Sequence, residues 1–296
     1  TTREGWKAWW KGAEERLFQD SCVAVDSADR IVGIAMVDPP AEPFVVVFVA
    51  ASVHPDAWDF EALWDDLCRW AAARASAYLS LAPGDAEVSL MAEAVEGDVQ
   101  RTAALGRAGF ERVRIFYRMR ADLGEPASAP TLPGGIAIRR MDHERDLLEV
   151  AAAHVEAFRD HWGHADQSAE AFAQKWRDDT RDQRTDLSFV AIADGAIAGY
   201  VLCEDNYRGD PTTAFVSFVG VRPAWRRSGI ALALLQTAFQ AFRGEGFLAA
   251  RLGVDAASPT GAVRLYEKAG MRVVEQVNRY ERVLRPGKDL RGRAAH

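Results

Sequence analysis

The sequence predicts two tandem copies of an α/β layered fold. Each copy is a mostly antiparallel mixed sheet flanked by helices. Apolar residues make up 49% of the 296 residues and charged residues 27%, the proportions of a globular protein with a sizeable core. A length of 296 residues suits two domains of ordinary size. The third observation is a repeat: short landmarks of the first half return in the same order in the second half.

The first repeated landmark is a β-hairpin. In the first half, apolar strands at 23–25 and 31–35 flank a polar turn. In the second half, strands at 190–192 and 197–201 flank Asp194-Gly195, 166 or 167 residues later. Asp-Gly between apolar runs favours a type I′ turn, which requires positive φ angles. We therefore predict an antiparallel hairpin in each copy.

Two further landmarks recur in the same order. Val53-His54-Pro55 and Val221-Arg222-Pro223 each end an apolar strand. Ala108-Gly109-Phe110 and Ala269-Gly270-Met271 each precede a strand rich in arginine and aromatic residues. With the arginine- and aromatic-rich strands counted as a fourth landmark, four landmarks recur in one order, which indicates a duplicated unit.

The repeat and the composition predict the domain organisation. We expect a first domain over residues 1–124, a proline-rich linker over 125–134 and a second domain over 135–296. The first copy lacks counterparts of a strand at 136–141 and a helix at 144–159. Either a strand and a helix are missing ahead of the first residue, or the first copy is naturally shortened.

In the second copy, the periodicity of apolar residues predicts the elements in order. Helical spacing predicts a helix over 144–158, and Ser168 is a typical N-cap for the next helix. A third helix, rich in Ala and Leu, is predicted over 229–242. The other elements follow from apolar runs and turn signals: strands at 136–140, 187–193, 196–203, 213–221 and 249–254, a helix at 260–268, and the last strands between 271 and 284.

Charge and cysteine content argue against several classes of function. The net charge is −7, which is unfavourable for binding nucleic acid through a basic face. The longest apolar run, residues 44–53, is too short for a transmembrane helix, and we expect no membrane partner. The three cysteines form no C-x-x-C pair, which argues against a disulfide framework or a zinc ribbon. We expect a cytoplasmic protein without a metal site.

The segment from Val219 to Ala231 carries the clearest chemical signal. A strand ends, Pro223 breaks it, and an arginine-rich turn with one glycine opens a helix. The first N–H groups of a helix have no partner within it, and the helix dipole favours an anion there. Gly229 would let a phosphate approach the backbone, and Arg226 and Arg227 would add positive charge. The alternative is an ordinary basic turn before a helix.

At this point the sequence resembles a known family. Arg226-x-x-Gly229-x-Ala231 resembles the [RQ]-x-x-G-x-[GA] acyl-CoA motif of the GCN5-related N-acetyltransferases (GNAT). The segment from Ser258 to Met271, with Leu265-Tyr266-Glu267 inside it, resembles a second motif of that family. The tandem arrangement is similar to that of mycothiol synthase-like two-domain acetyltransferases of actinobacteria.

The resemblance implies acetyl-CoA as cosubstrate, with direct attack by an amine. The pantetheine arm would lie along Val219, Gly220 and Val221, and the Val221 N–H would stabilise the developing oxyanion. A polar contact to the cofactor falls to Ser258, where the family often has asparagine. The pyrophosphate would lie on the loop and the helix start, formed by Arg226, Arg227, Ser228, Gly229, Ile230 and Ala231.

The resemblance places the general acid at Tyr266, which would protonate the departing thiolate. The alternative is a half-buried tyrosine that only packs. A base is also needed, because an amine with a lysine-like pKa of about 10.4 must lose a proton before attack. Glu204, at the end of the strand before the cofactor strand, is our first choice. It is followed by Asp205, and the alternative for both is a solvated loop.

Acceptor recognition is expected in the segment that follows the first helix of the second copy. Glu156 or Asp160 would contact a cation and Trp162 would stack on the acceptor. The alternative is a helix C-terminus whose histidines favour the helix dipole.

The first copy lacks the phosphate loop. After Pro55 come Asp56 and Asp59, with no arginine or glycine, and we interpret this copy as degenerate and non-catalytic. The predicted function is an acetyl-CoA-dependent N-acetyltransferase for a small-molecule amine, as a monomer or homodimer. A non-catalytic acyl-CoA-binding sensor or subunit is the main alternative, and acetylation of protein lysines is another.

Overall fold

The computed structural model describes residues 18–57, 59–124, 132, 134–165, 167–178, 184–205, 207 and 209–292. The described chain divides into two compact units. Unit 1 contains residues 117–274 and 291–292, and unit 2 contains residues 18–116 and 275–290. Most of the predicted linker lies outside the described residues.

The sheet of unit 2 has five strands in the order β1 (Ser21–Val25), β2 (Ile31–Asp38), β3 (Val46–Val53), β4 (Val88–Val95) and β12 (Arg272–Arg285). The hairpin predicted in the first copy is present, because β1 and β2 are antiparallel and β2 continues antiparallel to β3. Asp59 caps the longer helix, accepting a hydrogen bond from the Ala62 N–H. The elements are β1 (Ser21–Val25), β2 (Ile31–Asp38), β3 (Val46–Val53), α1 (Phe60–Ser76), β4 (Val88–Val95), α2 (Val99–Arg107) and the first part of β5 (Glu111–Asp122).

Unit 1 is a sheet in the order β5-β11-β10-β9-β8-β6 with helices packed against it. The second hairpin is also present, as antiparallel β8 and β9. Its elements are β6 (Ile136–Arg140), α3 (His143–Phe158), β7 (His164–Ala165), α4 (Ala169–Asp178), β8 (Phe189–Ala193), β9 (Ala196–Glu204), β10 (Thr213–Val221), α5 (Ile230–Gly244), β11 (Ala249–Asp255) and α6 (Ala262–Lys268).

Two segments depart from the expected order. The last strands predicted between 271 and 284 are one long strand, β12 (Arg272–Arg285), and a short β13 (Arg291–Gly292) follows it. Residues 275–285 of β12 belong to unit 2, where they pair antiparallel with β4. Residues 117–124, the end of the first half, belong to unit 1. Whether functional domains divide at the linker stays a prediction.

Two hydrophobic clusters hold the elements of unit 1 together. One is built on α5, with Leu234, Leu235 and Phe242 fully buried. The other is built on α3 and α4, with Leu147 and Val150 fully buried. The amphipathic helices predicted from the spacing of apolar residues are therefore confirmed.

Candidate active site

The strand that leads into the arginine-rich loop separates from one of its two neighbours. β10 pairs in parallel with β11 over Thr213–Phe215 and then diverges from it, whereas its antiparallel pairing with β9 continues to Val221. The ladder with β11 thus leaves the edge of residues 216–221 open. Val219 and Gly220, expected beside the pantetheine arm, lie on this open strand segment, as does Val221. An open edge of this kind can accept an extended ligand as an added strand.

A close contact with Tyr200 explains the glycine in this strand. A Cβ atom at Gly220 would lie 2.6 Å from the Tyr200 hydroxyl oxygen and 2.7 Å from its ring. A Cβ at the neighbouring Gly199 would lie 2.9 Å from the Gly220 carbonyl oxygen. Only glycine at these two positions lets the Tyr200 ring and the two strands come this close.

The hydroxyl of Tyr200 has a buried partner that sequence reasoning missed. It lies 2.7 Å from Nδ1 of His154, on α3. The His154 ring stacks on Phe158 and Phe172, with centroid distances of 4.4 and 3.9 Å. Burial lowers the pKa of His154 to about 3, so its ring is neutral at physiological pH. The available signal was a histidine on the apolar face of the amphipathic α3 and a tyrosine within the mostly apolar strand β9.

The loop between β10 and α5 is exposed and has positive φ angles at two residues. Arg227 and Gly229 have φ angles of 62° and 89°, and Gly229 is the N-cap of α5. Arg227, Ser228 and Gly229 are exposed, and the Ser228 hydroxyl is held by the Trp225 carbonyl at 2.6 Å. Helix α5 begins at once with Ile230, which is buried, and Ala231, which is half-buried. The exposed loop at a helix N-terminus has the geometry of an anion site.

The two arginines of the loop have different environments. Arg226 forms a two-pronged contact with Asp160 at 2.6 and 3.2 Å and donates to the Ala157 carbonyl at 2.8 Å. Arg227 is exposed. Arg226 therefore points its guanidinium at α3 and the residues after it, and Arg227 is the arginine open to a phosphate.

The acidic residues expected to recognise the acceptor have arginine partners. Asp160 is bound to Arg226, which lowers the pKa of its carboxyl. Glu156 lies 3.1 Å from Nε of Arg222, the residue that follows β10. A cationic acceptor would have to compete with these arginines. Trp162, the third expected acceptor residue, is half-buried in the segment after α3.

Tyr266 lies in a hydrophobic cluster shared with the cofactor strand. Its side chain is buried together with Ile230, and Val219 and Val221 pack against the same cluster. Burial raises the pKa of the Tyr266 phenol, so the hydroxyl keeps its proton at neutral pH, as a general acid must. Tyr266, two residues of the open strand segment and the first residue of α5 therefore belong to one hydrophobic cluster.

Glu204 lies at the point where β10 is irregular. It ends β9 opposite Phe215, and a β-bulge in β10 lies between Val216 and Phe218. The Ser217 hydroxyl, at this bulge, donates to Oε1 of Glu204 at 2.5 Å. Along the strand, Ser217 is about 13 Å from Val221 at roughly 3.3 Å per residue. The proposed base and the expected oxyanion donor are thus at opposite ends of the open segment.

Ser258 lies in the turn between β11 and α6. Its hydroxyl is 2.9 Å from that of Thr260, and its N–H donates to the Asp255 carbonyl. The turn that connects the second family motif to β11 is therefore ordered by its own contacts.

Among the described residues, no group of three or more His, Cys, Asp or Glu side chains is arranged to hold a metal ion. No helix in the same part of the chain is long and apolar enough to cross a membrane.

Comparisons with known sequences agree with the motifs. Residues 147–271 match the acetyltransferase (GNAT) family. The chain is 31% identical over 178 residues to the mycothiol acetyltransferase of Thermobispora bispora, covering 59% of each protein. It is also 31% identical over 181 residues to the mycothiol acetyltransferase of Frankia alni, covering 57% of this chain and 54% of that one. The aligned part thus spans less than two thirds of these relatives.

Comparisons with solved structures extend over nearly the whole chain. A GCN5-related N-acetyltransferase from Sphaerobacter thermophilus superimposes with a TM-score of 0.82 at 28% identity, covering 98% of this chain and 88% of that one. A tandem GNAT protein from the clavulanic acid biosynthesis pathway gives a TM-score of 0.65 at 17% identity, covering 89% and 82%. The second likeness concerns the fold alone, and it confirms the predicted tandem arrangement. The family match over residues 147–271 thus falls in the second half of the chain, where the sequence motifs lie.

Proposed function

We propose that the chain is an acetyl-CoA-dependent N-acetyltransferase that transfers an acetyl group to the amine of a small molecule. The observation that carries this proposal is the open edge of β10 beside the exposed loop at the start of α5. The two features suit the two ends of one elongated ligand, an extended arm and an anionic pyrophosphate.

Successive residues of the loop and of β10 bind successive parts of acetyl-CoA. Backbone N–H groups of residues 227–231 bind the pyrophosphate, with Arg227 adding charge. The arm runs back along Val221, Gly220 and Val219, which brings the thioester toward the bulge. A backbone N–H of this segment stabilises the oxyanion that forms when the amine attacks.

Two side chains move protons in this proposal. Glu204, hydrogen-bonded to Ser217 at the bulge, accepts a proton from the attacking amine, directly or through water. Tyr266 donates a hydrogen bond to the departing thiolate and assists its protonation. Because burial raises the pKa of Tyr266, stabilisation of the thiolate by the hydrogen bond is a large part of this role.

The acceptor class is drawn from chemistry and from the relatives. Since the curated relatives are named mycothiol acetyltransferases, a thiol-sugar amine is the first acceptor to test. Asp160 and Glu156 already have arginine partners, which weakens our expectation that they recognise a cationic acceptor.

Unit 2 has a corresponding gap between two diverging parallel strands, and side chains fill this gap. The filled gap supports a non-catalytic role for unit 2. β3 and β4 pair in parallel over Val46–Phe48 and then diverge, as β10 and β11 do. Side chains of α1, α2 and Phe110, among them Trp64 and Leu105, line the gap. The cavity that remains is about 10 Å³, counted as the space open to the centre of a water molecule. That volume holds about one water.

Calorimetric titration of acetyl-CoA tests the proposed site. Wild type should bind in the micromolar range, and Gly229→Glu should abolish binding because it places a carboxylate in the anion site. Gly244→Glu adds the same charge at the other end of α5, where nothing lies within 4 Å of a Cβ, and should bind like wild type. Circular dichroism checks that all three proteins are folded.

Release of free thiol with a panel of amines then tests catalysis. The panel contains a thiol-sugar amine, an amino sugar and a lysine peptide. Amine-dependent release establishes the transferase and identifies the acceptor class. Binding without release with any amine would favour the non-catalytic acyl-CoA-binding protein, and no binding by wild type would overturn the proposed function.

A further inference from the structure

Two ion pairs connect the cofactor loop to the C-terminal end of α3. Arg226 binds Asp160, with its closest N–O distance at 2.6 Å, and Arg222 lies 3.1 Å from Glu156. We call these four residues the clasp. The two arginines flank the short turn Pro223–Trp225. Of the two acids, Glu156 is in the last turn of α3 and Asp160 lies two residues past its end.

Arg226 is the centre of the clasp because it contacts both a carboxylate and a backbone carbonyl. Its guanidinium binds both carboxylate oxygens of Asp160, and it donates to the Ala157 carbonyl at 2.8 Å. Ala157 is in the last turn of α3, where carbonyl groups lack partners within the helix. The positive charge also suits the negative end of the helix dipole. Moving Arg226 onto a phosphate would break all of these contacts.

The segment after α3 depends on this anchor and on one other. His161 packs against Phe158 with ring centroids 4.4 Å apart, and its Nδ1 lies 3.2 Å from Asp160. On the other side, β7 pairs with β13, and the Gly163 N–H donates to the Gly292 carbonyl at 2.9 Å. Residues 159–165 are thus held between the C-terminal strand and the clasp.

We propose that Arg226 is a positioning residue, and that the clasp couples cofactor binding on the loop to the conformation of residues 156–165, beside the expected acceptor site. This rests on the proposed function. A ligand that orders the loop stabilises the clasp and with it the segment after α3. By reciprocity, loosening the clasp from α3 weakens binding on the loop. Asp160 therefore serves the cofactor site through Arg226 and does not bind the acceptor.

Calorimetry with clasp variants tests the coupling. Asp160→Asn should weaken acetyl-CoA binding at least about fivefold, since an amide loses the charge-assisted bonds. Arg226→Lys keeps the positive charge but loses the planar guanidinium that contacts both Asp160 oxygens. It should weaken acetyl-CoA binding to a similar degree. Asp122→Asn is the matched control, because Asp122 forms an ion pair of the same length, 2.6 Å, with Arg272 in unit 1. It should bind within about twofold of wild type.

Hydrogen exchange supplies a readout that a purely local role for Asp160 would leave unchanged. In wild type, saturating acetyl-CoA should slow amide exchange in residues 156–165 as well as in the loop. In Arg226→Lys, the protection should remain in the loop and be lost in residues 156–165. With a competent acceptor, the KM for acetyl-CoA should rise in Asp160→Asn while the KM for the acceptor stays within about twofold, because Asp160 acts on the loop.

The outcomes separate the two proposals. Wild type that binds acetyl-CoA no better than Asp160→Asn would show that the proposed coupling is wrong, and so would a ligand that leaves hydrogen exchange in residues 156–165 unchanged. In either case the proposed function stands. A rise in the KM for the acceptor alone would assign Asp160 to acceptor binding instead. If wild type does not bind acetyl-CoA, the proposed function falls and the coupling falls with it.

Discussion

The ring of Tyr200 occupies the space that a side chain at position 220 would need. Gly220→Ala should therefore lower the free energy of unfolding by about 1–3 kcal/mol, since the ring must move out of a fully buried site. Gly253→Ala, on β11, is the control, because nothing lies within 4 Å of its Cβ position. Urea denaturation measures both. Equal stability of the two variants would show that Tyr200 can move without cost.

The buried imidazole of His154 makes the stability of the fold depend on pH. The pKa of His154 is lowered to about 3 in the fold, against about 6.5 in an unfolded chain. The unfolded state alone takes up this proton, so stability is full above pH 6.5 and falls as the pH drops toward 3. Between pH 7.5 and 5.5 the loss from this group is about 1.4 kcal/mol.

The double variant His154→Phe, Tyr200→Phe removes the histidine without leaving the tyrosine hydroxyl unpartnered. Its free energy of unfolding should fall less between pH 7.5 and 5.5 than that of wild type. The control His54→Gln alters a histidine side chain that is 56% exposed and should keep the wild-type pH dependence. A double variant that also keeps it would show that His154 is protonated in the fold.

The buried phenol of Tyr266 gives the third prediction. Tyr266→Phe keeps the ring in its hydrophobic cluster but removes the hydroxyl, so acetyl-CoA binding should change little. The turnover number should fall by about 10²-fold, the usual contribution of one acid group. Steady-state kinetics with the acceptor from the amine panel measures it. Unchanged turnover would leave Tyr266 with a packing role.

At the scale of elements, the N-cap of α4 was predicted from its residue type and is present. Ser168 Oγ accepts a hydrogen bond from the Ala171 N–H at 3.0 Å. Ser168→Ala should cost about 1 kcal/mol of stability. Ser76→Ala, which removes a hydroxyl bonded to the carbonyl of Ala72 inside α1, should cost less, because that bond caps no free N–H group. Urea denaturation compares the two, and equal costs would argue against capping.

The boundaries of helices and strands were predictable where the periodicity of apolar residues agrees with the positions of turn residues. The strand predicted over 213–221 has the bounds of β10, and the helix predicted over 144–158 is α3 with one residue added. The course of the last strand was not predictable. Its sequence shows a strand, but strand patterns do not specify which distant strand will pair with it.

At the scale of the whole molecule, each compact unit contains residues from both halves of the sequence. Unit 2 needs residues 275–290: Val277 and Tyr280 are buried, and Arg285 donates to the carbonyls of Leu79, Pro83 and Ala86. A chain ending after residue 274 should therefore lose the cooperative unfolding of unit 2. A chain ending after residue 292 is the control and should keep it.

Hydrogen exchange of α1 measures this loss, because α1 packs in the core of unit 2. Slow exchange of α1 in the chain that ends after residue 274 would show that unit 2 folds without β12. The predicted division at the linker would then describe the folding units as well as the repeat.

The sequence by itself determined the duplication, the elements and the arginine-rich loop before α5, because these depend on local periodicity, turn residues and the spacing of a short motif. The tertiary structure alone decided which side chains meet. Arg226 was expected at a phosphate and lies on Asp160, and His154 and Tyr200, which carry no motif, form a buried pair against Gly220. The tertiary structure also decides that residues 275–290, from the second half of the sequence, belong to unit 2. Contacts between residues distant in the chain depend on how packed elements align, and no local pattern encodes that alignment.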